Sequence, residues 1–510
     1  MTVGDSARVD RRQLMGLGAL AAAGLASRAE GRAAGVVEMG AGDLAAAIRT
    51  RQVSCVEVTE AFLAQIDRLN GRYNAIVSLR DRSDVLKDAA KRDASLARGE
   101  SVGPLHGLPH AVKDLAPLKG VRFTQGGSPL YRDRIAAADN LPTARIRAAG
   151  VVFLGKTNAP EFGLGSHTVN PVFGATHNAY DPARSAGGSS GGAAVALALR
   201  MLPLADGSDY GGSLRNPAGW NNVYGFRTSY GRVPDVGPQA WLPSMATPGP
   251  MARSVADLAL LLSVQAGYDR RTPLAMEGDG RALRDPPPEG MRGKRVGWLN
   301  YGAAVPYEPE VISVCKAALK RFEALGCEIG EAIPDVDPER AWQAFVRLRA
   351  WQQFPQLAPF VHDPAARAML NPQAMFEADL AQTLTAFDIT EASVVRTEWS
   401  RSIDKLFDRF DILISPTAQL FPFDIGWKWP EAVAGQPMRT YHEWMKGVCL
   451  ITMAGTPSLA APVGFSSAGL PIGIEIIGPV HHEMACLQAA AAYEAVEPLA
   501  RTHRPAALQA

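Results

Sequence analysis

The stretch GGSSGGAAVALAL, residues 187–199, constrains this chain more than any other. Ala193–Leu199 is an unbroken Ala/Val/Leu run, and a helix that is apolar on every side has to be enclosed on every side. The sequence around it supplies the material for such an interior. His110–Val112 and Val151–Leu154 read as short strands, the second following the helical TARIRAAG stretch. RVGWLN, ILISPT, SLAAPVG and IGIEIIG read as further strands. Residues 41–70 read as two helices. In the second, Ser54 and Glu57 form a capping box, and Val58, Phe62, Ile66 and Leu69 follow at helical spacing. Val311, Cys315, Leu319 and Phe322 give another helix one apolar face. A long helical zone covers 338–410, with Trp342, Phe345, Leu348 and Trp351 at three-residue intervals. Strands and helices in alternation predict an α/β fold rather than a sandwich or a bundle.

Composition removes several function classes. Lys plus Arg number 52 against 51 for Asp plus Glu, a net charge of +1, so no basic excess points to nucleic acid. No apolar run reaches the ~18–20 residues that span a bilayer. Cys55, Cys315, Cys327, Cys449 and Cys486 are scattered among apolar neighbours, as in KGVCLIT. They read as buried small hydrophobes rather than a disulfide framework or a zinc site.

At the start of the chain, Arg8, Arg11 and Arg12 precede the apolar LMGLGALAAAGLA of residues 14–26. That is the layout of an export signal, and the Arg11–Arg12 pair resembles the twin-arginine type, with Asp10 and Leu14 departing from its usual pattern. Residues 1–34 are therefore set aside as a leader and 35–510 taken as the folded enzyme. The expected location is periplasmic or secreted, the alternative being an Ala-rich extension on a cytoplasmic protein. Residues 268–293, charged and carrying Pro286, Pro287 and Pro288, read as a linker between two lobes of one fold.

The chemistry concentrates between Lys113 and Arg215. Lys113 follows a β-like run in HAVKDLA, Ser189 and Ser190 sit inside GGSSGG, and Ser213 closes two glycines in GSDYGGSLR. Singly, these read as a solvated lysine, a flexible turn or phosphate cradle, and a weak Gly-Gly-Ser. In one chain, with Lys113, Ser189 and Ser213 separated by 76 and 24 residues, they form a pattern. So do GKTNAPEFGLGS and NAYDPARSAGGSSGG between them, YGRVP at Tyr230–Pro234, ISPT at Ile414–Thr417, and AGTPSLAAPVGFSSAGLPIGIEIIG from Ala454. Over nearly all of the chain after the leader, the sequence resembles the amidase signature family.

That resemblance implies an α/β amidase-signature fold, a central mixed twisted β-sheet covered by helices on both faces. It implies a Ser–cis-Ser–Lys triad made by Ser213, Ser189 and Lys113, with Ser189 in a cis peptide. It places an oxyanion hole on the backbone N–H groups of Tyr210, Gly211, Gly212 and Ser213, and gives Ser190, Asp209 and Arg215 supporting roles. The implied activity is hydrolysis of an amide, with an aryl amide, ester or urethane as variants. The chemistry of the residues agrees: a serine needs a base, and a lysine serves as one when burial removes its proton. Asp114, next in an extended segment, faces away from Lys113 and need not neutralise it.

No cofactor is called for, since GGSSGG lacks the G-x-G-x-x-G dinucleotide fingerprint. Nor is a metal, since His167 and His177 lack a third ligand, and Lys156 reads as structural. The expected partner is a small-molecule amide, with a homodimer left open. Tyr210 stands where Thr or Ile is usual, Glu475 where Gln is, and Ser229 where Pro is, and these departures are expected to bear on substrate. Trp220, Trp241, Trp342, Trp351, Trp427, Trp429 and Trp444 are candidates for an aromatic pocket. Two other readings stand beside the amidase: the amidase-like subunit of a glutamine-dependent amidotransferase, and a non-catalytic protein on the same fold.

Overall fold

The computed structural model describes residues 35–100, 102–237, 240–242, 244–286 and 290–509. The leader assignment at 1–34 and the prolines 287 and 288 of the linker lie outside the described residues.

Three strands make a small sheet in the order β1-β3-β2: β1 is Ile76–Val77, β2 is Pro109–Lys113 and β3 is Val152–Thr157. β2 and β3 are parallel, and β1 is antiparallel to β3. A larger sheet is built from β4 (Ala205–Asp209), β5 (Tyr224–Arg227), β6 (Thr247–Ala252), β7 (Arg295–Leu299), β8 (Glu328–Ala332) and β9 (Ile412–Pro416). A two-residue hairpin, β10 (Ala432–Val433) with β11 (Gln436–Pro437), stands apart. β12 (Ser458–Phe465) and β13 (Pro471–Ile477) complete the larger sheet, whose order is β4-β6-β5-β12-β13-β9-β7-β8. β7 is parallel to β8 and β9, and the other pairs are antiparallel. The sheet is mixed and the fold is α/β. β7 follows the 268–293 segment and β4–β6 precede it, yet all share this sheet.

Local sequence explains the main elements. The Ser54 side chain accepts from Glu57 N, and the Glu57 carboxylate accepts from Ser54 N at 2.8 Å, which starts the helix Cys55–Tyr73. Every residue of the helix Gly191–Ala198 is buried, as its uniform apolarity requires. β13 is buried along its whole length, so its near-continuous apolar run is covered on both faces. The helices Arg215–Trp220 and Pro309–Ala324 pack on β12 and β13. A Cβ on Gly473 of β13 would stand 3.1 Å from the Cα of Gly219, so helix and strand approach where neither carries a side chain. The helical zone resolves into Pro338–Val361, Pro364–Arg367, Pro372–Thr383 and Ala386–Leu406. Phe162 and Leu164, in the loop after β3, join Leu357, Val361, Leu370 and Ala374 in a small apolar cluster beside the main core. All five cysteines are buried and free. No helix among the described residues is long and apolar enough to cross a membrane.

β4 and β6 escape a reading by hydrophobic pattern. Their sequences, ADGSD and TPGPMA, carry polar residues and prolines where strands usually alternate. β4 lies beside β2, and the two sheets meet there through side chains. His110 Nε2 is 2.9 Å from Asp206 Oδ1, and Lys113 N donates to Asp206 Oδ2 at 3.4 Å. Asp206 and Ser208 of β4 face this junction, whereas Asp209 is buried against Arg215.

Candidate active site

Lys113 ends β2, and its side chain is enclosed in a shell of hydroxyls. Its Nζ lies 2.7 Å from Ser189 Oγ, 2.9 Å from Ser190 Oγ, 3.1 Å from Ser208 Oγ and 3.2 Å from the Ser208 carbonyl. Only the carbonyl is an obligatory acceptor. Each hydroxyl can donate or accept, so the shell can satisfy a neutral amine with two N–H donors and one lone pair. Burial pushes Lys113 down from 10.5 to about 7, against the opposing pull of Asp209 and Asp206. Both carboxylates have other partners: Asp206 meets His110, and Asp209 meets arginines. Asp114, just past the end of β2, accepts from the Thr124 hydroxyl and stands 3.9 Å from Lys156, so it faces away from Lys113.

The Gly188–Ser189 peptide is cis, and Ser189 and Ser190 lead into the buried helix Gly191–Ala198. Ser190 N donates to the Ser213 carbonyl at 3.1 Å, joining this loop to the segment that carries Ser213. That segment is the turn between β4 and the helix Arg215–Trp220. Gly212 takes φ +98°, and a side chain there would run into Asn216 and Val448, so only glycine fits the turn. Asp209 holds the turn from inside, accepting from Gly212 N at 2.9 Å and Leu214 N at 3.0 Å. The backbone N–H groups of Tyr210, Gly211 and Ser213 have no hydrogen-bond partner among the described residues. Gly212 is a correction to the four expected donors. Its N–H is already engaged by Asp209, which leaves three.

Arg215 anchors the turn from below. It donates to both Asp209 oxygens, at 2.9 and 3.0 Å, to Glu475 Oε2 at 2.5 Å, to the Val448 carbonyl and to Thr452 Oγ1. Burial alone would raise Asp209, but Arg215 and then Arg227 outweigh it and hold the carboxyl below the usual carboxylate range. Glu475 is thus the second counter-ion of a fully buried arginine, and lines neither of the two cavities that meet at Ser213. Ser229 lines neither as well; its backbone N–H meets Glu483, and its hydroxyl accepts from His481 N. Of the three departures, only Tyr210 lines the site. Arg215→Leu would leave two buried carboxylates short of their shared partner. It is expected to cost about 3–5 kcal/mol, read as a lower midpoint in denaturant unfolding. An unchanged midpoint would remove Arg215 as the anchor.

Lys113, Ser189 and Ser213 all line one cavity of about 550 Å³. Its walls include Phe162, Tyr210, Tyr230, Val233 and Leu242, with Gln352, Gln353 and Gln356 from the helix Pro338–Val361. None of the seven tryptophans reaches it. Trp220, Trp342 and Trp444 are buried core, Trp220 stacked on Trp444 with ring centres 5.4 Å apart, while Trp241 and Trp427 are 79% and 52% exposed. Helical spacing and bulk marked them as apolar residues but could not separate core from pocket. Two polar participants went unnoticed in the sequence, Ser208 and Asp206. Alternation along GSDYGGS would have put Ser208 on the same side as its neighbours at the site, had ADGSD been read as a strand.

His167 is engaged by the Ile425 carbonyl and Ser185 Oγ, and His177 by the Pro182 carbonyl. Among the described residues, no cluster of His, Cys, Asp or Glu could hold a metal ion. Gly150–Thr157 has the G-x-x-x-x-G-K-T spacing of a phosphate loop. Its residues from Val152 form β3, however, and Lys156 Nζ donates to the Ala116 carbonyl, so no phosphate cradle exists there.

The amidase family model matches residues 57–487. The chain belongs to the amidase family. This amidase is 33% identical to an acylamidase of Rhodococcus erythropolis, over 91% of its own length and 96% of the relative's. It is also 33% identical to a glutamyl-tRNA(Gln) amidotransferase subunit of Thermosynechococcus vestitus, covering 88% of this amidase and 96% of that protein. Among solved structures it is similar to a bacterial aryl acylamidase of the amidase signature family, with TM-score 0.84 and 30% identity, covering 92% of this chain and 99% of that one. The amidase is accordingly a hydrolase of carbon–nitrogen amide bonds.

Proposed function

We propose that this enzyme hydrolyses an aryl or apolar amide through a covalent acyl-enzyme on Ser213. The observation that carries the reading is the 2.7 Å contact between Lys113 Nζ and Ser189 Oγ, deep in the cavity that Ser213 also lines. Neutral Lys113 accepts a proton from Ser189, Ser189 accepts one from Ser213, and Ser213 Oγ attacks the amide carbon. The negative oxygen that forms is met by backbone N–H groups of Tyr210, Gly211 and Ser213. One such donor is commonly worth about 3–4 kcal/mol. Ser189 then protonates the departing nitrogen, because an amide anion leaves poorly, and water releases the acid from Ser213 by the same relay. The apolar and aromatic walls of the cavity support an aryl or apolar substrate.

The test is a serine-directed phosphonofluoridate followed by peptide mass spectrometry. The adduct is expected on the peptide containing Ser213, with amine detected from anilides or carbamates in a parallel screen. Inertness toward the probe and toward every amide would favour a non-catalytic protein instead. The similarity to an amidotransferase component supports a second reading, in which the chain works as one part of a larger complex. Co-purification of a second protein, with activity only in its presence, would establish it. Export belongs to the proposal too, resting on Arg11–Arg12 and the apolar stretch after them.

A further inference from the structure

Two of the three free N–H groups in the turn from Tyr210 to Ser213 belong to peptides pinned from behind, and the third does not. A trans peptide points its N–H and C=O in opposite directions, so a hydrogen bond to the carbonyl fixes where the N–H aims. The Asp209 carbonyl accepts from Arg227 Nη1 at 2.7 Å, which sets the Tyr210 N–H. The Gly212 carbonyl accepts from Asn216 N at 2.7 Å, which sets the Ser213 N–H. The peptide between Tyr210 and Gly211 has no hydrogen bond at either end among the described residues. Two successive glycines follow it, so the local backbone resists rotation weakly. The Gly211 N–H has to be held by something else.

The Tyr210 side chain supplies that hold. It is almost wholly buried, and one face of the helix Pro338–Val361 grips it through Phe345, Arg349 and Gln352, spaced i, i+4 and i+7. Phe345 meets the ring edge-on at 6.0 Å. The Arg349 guanidinium lies over the ring, 4.8 Å from its centre. The Tyr210 hydroxyl donates to Gln352 Oε1 at 2.7 Å.

The gripping residues are themselves fixed. Phe345 is stacked on Trp342 with ring centres 5.4 Å apart. Arg349 donates to Glu377 Oε1 at 2.7 Å and to the Tyr441 hydroxyl at 3.1 and 3.2 Å. Gln352 Oε1 also accepts from Met245 N at 3.4 Å.

We infer that the Tyr210 side chain is a positioning group for the Gly211 N–H, through which a helix outside the catalytic loops holds one donor of the oxyanion hole. This rests on the acyl-enzyme reading above, and adds to it a side chain that acts through its neighbour's backbone. Such a donor counts only where negative charge develops. Loosening it weakens the transition state and leaves ground-state binding nearly untouched.

The experiment compares Tyr210→Phe, Tyr210→Leu, Gln352→Met and the double variant Tyr210→Phe/Gln352→Met on one anilide. Tyr210→Leu is expected to lower kcat about 10–100-fold, short of the loss from removing a donor outright, with KM moving less than about threefold. Tyr210→Phe and Gln352→Met should each lower kcat a few-fold. The double variant should lose no more than the larger single loss, because both changes cut the same bond. A trifluoromethyl ketone analogue reports on the donor directly. Ser213 Oγ adds to its carbonyl carbon, the serine proton passes to the relay and the carbonyl oxygen becomes the oxyanion. Its inhibition should weaken by the same factor as kcat, whereas the alcohol made by reducing that ketone should bind unchanged.

Full kcat in both Tyr210→Phe and Tyr210→Leu overturns the inference. So does a loss carried by KM alone, or one that weakens ketone and alcohol equally, since either makes Tyr210 a substrate contact. Losses that multiply in the double variant also overturn it, and that cycle decides the matter where Tyr210→Leu fails to fold. Each of these results leaves the hydrolase reading intact. An unmodified enzyme that turns over no anilide and binds the ketone no tighter than the alcohol overturns both.

Discussion

Ser213→Ala is expected to lower amine release from an aryl amide by about 10⁴-fold or more, into the range left by binding and backbone donors alone. The variant should fold normally. Ser213 contributes its backbone carbonyl to Ser190 N, and an alanine keeps that bond. It should also lose the phosphonofluoridate adduct while still binding substrate in the cavity. Retention of full activity would assign the nucleophile elsewhere. Ser189 is the next hydroxyl in line, so a Ser189→Ala comparison belongs in the same experiment.

Lys113→Ala is expected to lower kcat/KM at neutral pH by about 10²–10⁴-fold, the range for a positioned general base. The pH dependence is the sharper test. Burial brings Lys113 from 10.5 to about 7, so above pH 7 the amine is mostly neutral and able to accept a proton. Below it, each unit of pH removes about nine-tenths of the remaining neutral form. The unmodified enzyme should therefore show kcat/KM rising with unit slope to about pH 7 and flat above it. In Lys113→Ala that limb should vanish and activity should return in part only at high pH, where hydroxide replaces the missing base. An unmodified-enzyme profile that is flat down to pH 5 would show a different base, and one that rises only near pH 10 would show a lysine that burial has not shifted.

How much of this could be read from the sequence depended on whether a residue's role is local. The buried helix Gly191–Ala198 was visible because an unbroken apolar run has only one destination. The strands ILISP and PIGIEII were visible for the same reason. Lys113, Ser189 and Ser213 were visible through family text rather than spacing, since strand ends and Gly-Ser loops are common. What stayed hidden was decided across the fold. β4 is a strand because β6 and the neighbouring sheet hold it, against its own polar composition. Glu475 looked like a substrate determinant until Arg215, 260 positions away in the chain, turned out to be its partner. The tryptophans looked like a pocket until the structure placed Trp220, Trp342 and Trp444 in the core and left Trp241 and Trp427 exposed. Gly212 N–H looked free until Asp209 closed on it, a choice between donors that no residue type announces.

The meeting of the two sheets has a consequence for how the enzyme fails. Lys113 belongs to the small sheet and Ser213 to a turn extending from the large one, and their strands touch without a shared backbone ladder. Loosening that joint would part base from nucleophile while each sheet keeps its own hydrogen bonds. Gentle heating or low denaturant should therefore silence turnover before circular dichroism registers any melting, and cooling should bring it back.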